Sequence, residues 1–250
     1  MNAAARLAAG LALAAGAAHA APAAVTPSGD TVPENLLRIE LHLARPLRQP
    51  LAMDHVRLLD GGGRTIPDAL LDLPLPAADG RTVTLLLHPG RVKRGVGANL
   101  ALGRALHAGD EVELAVDDPQ LPAPLHKRWR VTPAREEALL ARDWRLALPA
   151  AGSRAPLQVR LDAALTASSA GLVGVRGPDG ERLAGTARLR AGETVWEFRP
   201  GRPWRAGRYA LVVHPRLEDV AGNRPCTPFE TAALSALPCV IGERGFELGR

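Results

Sequence analysis

Leu36-Leu37-Arg38-Ile39-Glu40-Leu41-His42-Leu43 sets Leu37, Ile39, Leu41 and Leu43 against Arg38, Glu40 and His42. Alternation with a period of two marks a strand with one buried face. The pattern returns at Leu157-Gln158-Val159-Arg160-Leu161-Asp162. Outward from these two strands the chain repeats itself. Val56-Arg57-Leu58-Leu59-Asp60-Gly61 corresponds to Val173-Gly174-Val175-Arg176-Gly177-Pro178-Asp179-Gly180. Each runs a strand into an Asp-Gly turn, a dipeptide that tolerates positive φ in a hairpin.

The correspondence continues. Thr82 to Gly90 matches Thr194 to Gly201, each a strand stopped by Pro-Gly. Ala108-Gly109 leading into Val112, Leu114 and Val116 matches Ala206-Gly207 leading into Tyr209, Leu211 and Val213. Closing strands are expected near 127–131 and 229–233. Turn signals every 8–12 residues, over units of about 100 residues, predict two tandem β-sandwiches of about seven strands each. A period this long excludes a solenoid of repeats that cannot fold alone. The expected boundaries are domain 1 over 25–132, a linker over 133–143, domain 2 over 144–233 and a loosely ordered tail over 234–250. Thr132 and Pro133 suit the cap and first turn of a short helix in the linker.

The two copies differ in length. Pro89-Gly90 lies well before Ala108-Gly109, whereas Pro200-Gly201 almost adjoins Ala206-Gly207. An insert, roughly Arg91 to Arg104, therefore belongs to the first copy alone. With Arg91, Lys93 and Arg94 it is a candidate partner-binding loop. As a surface excursion, it is expected to be removable without loss of stability.

Composition bounds the rest. The chain has 250 residues, 46% of them apolar and 3% aromatic. No stretch supplies about 20 strongly apolar residues, so no transmembrane segment is expected. The first twenty residues, MNAAARLAAGLALAAGAAHA, place Arg6 before an apolar run and end in Ala18-His19-Ala20. That is the layout of a secretory signal peptide over 1–20, which implies a periplasmic or secreted protein. The formal charge of +5 is a weak field for this length, and no helix concentrates it, so nucleic acid is not an expected partner.

Leu217-Glu218-Asp219-Val220-Ala221-Gly222-Asn223 follows the Tyr209–Val213 strand. Together with Ala206-Gly207, Tyr209, Leu211 and Val213, it resembles the late-strand signature of the bacterial Ig-like domain of the SbsA type. The first copy keeps Ala108-Gly109 but has Asp117-Asp118-Pro119 where Asp-x-x-Gly-Asn would stand. The resemblance implies an Ig-like fold and an envelope or surface setting, and it implies no reaction. In its own terms the element reads as a structural turn. Asp219 accepts from nearby backbone N–H groups, while Gly222 and Asn223 tolerate left-handed φ. A calcium site would need six to eight oxygens, more than Glu218, Asp219 and Asn223 supply.

Other constellations are weak. The seven His are scattered and no Cys-x-x-Cys or His-Glu-x-x-His occurs, so no metal or cofactor is expected. There is no Gly-x-Ser-x-Gly elbow and no P-loop. Trp129 and Trp196 have core spacing, and Trp204 beside Pro203 is expected to be the exposed tryptophan. Cys226 and Cys239 are the only two cysteines, and an oxidising compartment favours a disulfide between them. The expectation is an all-β, exported, non-catalytic binding or spacer module of two Ig-like sandwiches. Its partner would be an envelope protein or a glycan. The alternatives are a hydrolase, such as a glycan-active enzyme, with a dispersed carboxylate pair, and a purely structural envelope component.

Overall fold

The computed structural model describes residues 23–95, 97–230 and 243–249. The signal-peptide reading of 1–20 and the position of Cys239 lie outside the described residues. The first unit contains β1 (Ala24–Thr26), β2 (Thr31–Pro33), β3 (Arg38–His42), β4 (Val56–Asp60), β5 (Leu75–Pro76), β6 (Thr82–Leu86), β7 (Glu111–Val116) and β8 (Leu125–Thr132). They form two sheets, ordered β1-β3-β6-β5 and β2-β8-β7-β4. The second unit contains β9 (Arg145–Ala147), β10 (Leu157–Arg160), β11 (Val173–Arg176), β12 (Gly185–Arg190), β13 (Val195–Pro200), β14 (Gly207–Val213) and β15 (Arg244–Leu248). Its sheets run β9-β10-β13-β12 and β11-β14-β15.

Aligned on the internal repeat, the two orders coincide. β9, β10, β13 and β12 take the places of β1, β3, β6 and β5. β11, β14 and β15 take those of β4, β7 and β8. With strands lettered in chain order this is A-B-E-D against C-F-G, the immunoglobulin arrangement. The first unit adds β2, which pairs parallel to β8. Even the turns repeat. Ile66 N donates to Leu58 O, and Leu183 N donates to Val175 O, each across its Asp-Gly turn.

Alternation along the strands explains the two cores. Ile39, Leu41, Val83 and Leu85 from one sheet cluster with Leu58, Val112, Leu114 and Trp129 from the other. In the second unit Leu157, Val159, Trp196 and Phe198 cluster with Val175, Tyr209 and Leu211. Its aromatics form one chain of ring contacts from Trp196 through Phe198, Trp204 and Tyr209 to Phe246, with centroids 5.4–6.1 Å apart. The Tyr209 hydroxyl donates to Arg205 O at 2.8 Å, tying the start of β14 to its approach. This is the tyrosine corner of immunoglobulin sandwiches.

Three expectations need correction. Trp204 is buried, because its ring joins the aromatic chain and its Nε1 donates to Ala155 O at 2.8 Å. The linker forms no helix over 133–140; only a 3-10 turn at Ala141–Asp143 follows. The Arg135 peptide is instead hydrogen-bonded to both units, as described below. The closing strand of the second unit is Arg244–Leu248, so those residues are not a loose tail. Phe246 stacks on Tyr209 and Leu248 is buried, which places this pentapeptide in the sheet.

Candidate functional site

The Asp219–Asn223 turn closes on itself. Asp219 Oδ1 accepts from Ala221 N at 2.9 Å and Asn223 N at 2.8 Å, and Asp219 Oδ2 accepts from Asn223 Nδ2 at 2.9 Å. These carboxylate oxygens are thus engaged with N–H donors, where a calcium reading would need them free. Gly222 has φ +82°, and a Cβ there would sit 2.7 Å from Leu37 Cδ2 and 3.1 Å from Phe229 Cδ2. Glycine is required twice, for the left-handed backbone and for the close approach.

That approach crosses between the units. Leu37 N donates to Val220 O at 2.8 Å, and Val220 packs into the core of the first unit. The turn of the second domain is therefore a peg in the wall of the first. Around it lies a polar joint. Asn35 is fully buried; its Nδ2 donates to Arg135 O at 2.7 Å and its Oδ1 accepts from Arg135 N at 3.0 Å. Asn223 Nδ2 donates to the same carbonyl at 3.0 Å. The Arg135 side chain meets Asp162 at 2.5 Å and Asp219 at 3.3 Å. Its guanidinium thus neutralises two carboxylates of the second unit, while its peptide is fixed by an asparagine of the first. Burial pushes the Asp219 carboxyl up to about 6, against the Asn223 and Ala221 hydrogen bonds and the Arg135 charge, which pull it down.

Two further contacts support the joint. Arg38 pairs with Glu218 at 2.5 Å, and Ser168 Oγ donates to buried Glu40 at 2.9 Å. On the other flank Glu193 accepts from Ser28 N and Ser28 Oγ, both at 2.7 Å. Ala191, Gly192 and Glu193 have φ of 51°, 65° and 59°, a left-handed turn that non-glycine residues adopt only under constraint. A Cβ on Gly192 would lie 2.8 Å from Gly29 Cα. Between these contacts remains a cleft of about 710 Å³, bordered by Asp30, Thr132, Asp162 and Thr194.

The candidate partner loop is divided by the structure. It holds two short helices, α1 (Pro89–Val92) and α2 (Gly97–Leu102). Arg91 is buried, and its guanidinium donates to Pro67 O, Gly103 O and Arg104 O. It clasps the loop from within. Lys93 sits 4.3 Å from the centre of the Phe229 ring, and Arg94 meets Glu136 of the linker at 3.2 Å. Buried Arg104 pairs with Glu34 at 2.5 Å and Glu230 at 2.7 Å. The loop thus grips this chain's own linker and the segment after Asn223. It is not a detachable excursion, because Val92 is also part of the first core.

Cys226, with φ 65°, is disulfide-bonded. Among the described residues no cluster of three or more His, Cys, Asp or Glu is placed to hold a metal ion, and no helix is long and apolar enough to cross a membrane. The residues that build the joint but carry no sequence motif are Asn35, Arg135 and Glu193. The helix expected over its segment masks Arg135. Asn35 and Glu193 had no distinguishing pattern.

No protein-family model matches the chain, and no curated protein sequence matches it. Among solved structures the chain is similar to a chimeric titin Z1Z2 (12% identity, TM-score 0.26, covering 74% of this chain and 85% of that one). It is also similar to the titin Ig tandem A164-A165 (12%, TM-score 0.25, covering 88% and 89%). A third is the BSP domain of a biofilm-associated protein (14%, TM-score 0.25, covering 73% of this chain and 25% of that one). The strand order, not these distant similarities, carries the fold.

Proposed function

We propose that this is an exported, non-catalytic pair of Ig-like domains, the second of the SbsA type, serving as a spacer and binding module of the cell envelope or extracellular space. The observation that carries this reading is the joint at Arg135. Its peptide is bound by Asn35 of the first unit and Asn223 of the second, and its side chain neutralises Asp162 and Asp219. The buried polar groups that pair here favour one geometry, because separating the units leaves Asn35, Asn223 and the Arg135 carbonyl unpaired. Two sandwiches held in one orientation present end loops and sheet faces at a fixed separation, which suits a spacer that also binds. Export rests on the Met1–Ala20 pattern, and the SbsA assignment on the Ala206–Asn223 residues.

The hydrolase reading gains nothing from Asp162 and Asp219. Asp219 is fully buried with its oxygens engaged, and Asp162 is bound to Arg135 and to Trp144 Nε1. Small-angle scattering of the mature chain tests the proposal. One fixed maximum dimension is expected, with a wider distribution for Arg135→Ala. A freely jointed pair of domains in the unaltered chain, or turnover of glycan substrates by it, overturns the reading.

A further inference from the structure

The outward face of the β9-β10-β13-β12 sheet carries a concentration of positive charge that no motif announces. Register sets Arg145 directly opposite Arg160, Arg160 opposite Val195, and Val195 opposite Arg190. Strands lie about 4.8 Å apart, so this single row crosses four strands in about 14 Å. Arg188 and Arg199 stand on the same face beside it. All five arginines are exposed, and none is paired with a carboxylate among the described residues. The one acid in these strands on this face, Glu197, is half-buried, accepts from Gln158 at 3.4 Å and stands opposite Arg188, off the Arg145–Arg160–Arg190 row.

This arrangement works against the fold. Like charges directly opposite on adjacent strands destabilise a sheet, and Arg145–Arg160 is such a pair. The first unit shows what the equivalent face does elsewhere. There Arg38 pairs with Glu218 and Glu40 is buried against Ser168, so the second unit covers it. In the second unit the face is open and coated with arginine.

We infer that this row is a binding site for a linear acidic polysaccharide, whose carboxylates lie across the strands from Arg145 to Arg190. The choice of a polysaccharide rests on the exported setting proposed above. Guanidinium forks match carboxylates bidentately, and every positive charge on the face is an arginine. A row that crosses four strands, with Arg188 and Arg199 beside it, suits an extended chain. A planar anionic membrane would press against Glu197 as well. A nucleic acid finds no stacking platform, since all four tryptophans are buried.

The test uses the mature chain at low salt with polygalacturonate as probe, neutral dextran as the uncharged control, and anionic phospholipid vesicles and single-stranded DNA as competing classes. Binding to polygalacturonate alone is expected, weakening as salt rises. The variant R145E/R160E/R190E should bind at least about 30-fold more weakly. R45E/R48E/R57E, with the same change in net charge on exposed arginines of the first unit, should bind within about threefold of the parent. Equal loss in both variants, no binding, or a preference for vesicles or DNA overturns the inference. Arg160→Glu alone should raise the melting temperature by about 1–2 °C, through relief of the opposed charges. A fall would mean the arginine serves the fold, and would also overturn it. Loss of binding with unchanged scattering leaves the jointed-module reading standing, so the two can fail separately.

Discussion

Asn35 and Asn223 donate to one acceptor, the carbonyl of Arg135, at 2.7 and 3.0 Å. One amide belongs to the first unit and the other to the Asp219–Asn223 turn of the second. The link between the units is therefore closed from both sides on a single oxygen, and its two lone pairs are filled. Each substitution, Asn35→Ala or Asn223→Ala, leaves buried polar groups unsatisfied and should cost about 1–3 kcal/mol. Because the two amides share a carbonyl, the costs should not add. Urea unfolding of both single variants and the double variant measures this, and a coupling of about 0.5–3 kcal/mol is expected. Additivity within a few tenths of a kcal/mol would show that the shared acceptor does not couple the units.

The arginines of the first-unit insert should separate by role. Arg91 is buried with three carbonyls accepting from its guanidinium, whereas Arg94 is 62% exposed on its salt bridge with Glu136. Arg91→Ala should cost about 2–4 kcal/mol, since three acceptors lose a charged donor. Arg94→Ala should fall within about 0.5 kcal/mol of the parent. Thermal melts of the two variants check this. Equal losses would mean that the insert is uniformly structural.

Gly192 tests how closely the units approach. Its φ of +65° and that of Gly180, +83°, impose a similar backbone penalty on alanine. A Cβ on Gly180 meets nothing within 4 Å, whereas one on Gly192 meets Gly29 Cα at 2.8 Å. Gly180→Ala should cost about 1 kcal/mol, and Gly192→Ala measurably more, because only the latter forces the joint apart. Equal losses in chemical denaturation would remove the close approach from the account of the joint.

The sandwiches are legible because most strands alternate and the Asp-Gly turn repeats, and those are local signals. Leu157 to Arg160 and Arg38 to His42 announce a buried face whatever surrounds them. The joint was not legible, because it depends on distant residues of ordinary type. Nothing near Asn35 marks it as a clamp for Arg135, and the Thr132-Pro133 pair pointed to a helix that tertiary bonds to the Arg135 peptide replace. Trp204 departs from its expected exposure for a related reason. A neighbouring turn suggests exposure, yet an acceptor at Ala155 lets the indole nitrogen be buried. The strand at Arg244–Leu248 had a usable signal, the alternation of Phe246 and Leu248, but only the pairing with β14 places it in the sheet.

The cysteines give a prediction about covalent structure. Cys226 is disulfide-bonded, and Cys239 is the only other cysteine in the sequence. Export would make an intrachain bridge the expected product, closing a loop of about 13 residues for roughly 3 kcal/mol by chain entropy. The protein isolated from an oxidising compartment, alkylated without reduction, should show no modified cysteine and should run as a monomer. A dimer lost on reduction would assign the bond to a second chain.

Asp219 makes the joint sensitive to pH. Its carboxyl is raised from 3.8 to about 6, with burial as the largest cause; Arg135 is the charge that faces it, and Asp162 shares that guanidinium. A group raised in the folded state binds its proton more tightly there than in the unfolded chain. Its favourable contribution is therefore complete below about pH 4 and is lost as pH rises through about 6. The rise from 3.8 to about 6 corresponds to about 3 kcal/mol as an upper figure. Surface carboxylates such as Asp60, Asp79 and Asp179 are lowered by their hydrogen bonds and act in the opposite direction. The measurement must therefore isolate one residue. Unfolding free energies of the parent and Asp219→Asn, compared from pH 4 to pH 7.5, do this. The advantage of the parent over the variant should be largest near pH 4 and shrink by up to about 3 kcal/mol by pH 7. An advantage that grows with pH would mean that Arg135 and the turn's N–H donors outweigh burial, and that Asp219 is held as a carboxylate throughout.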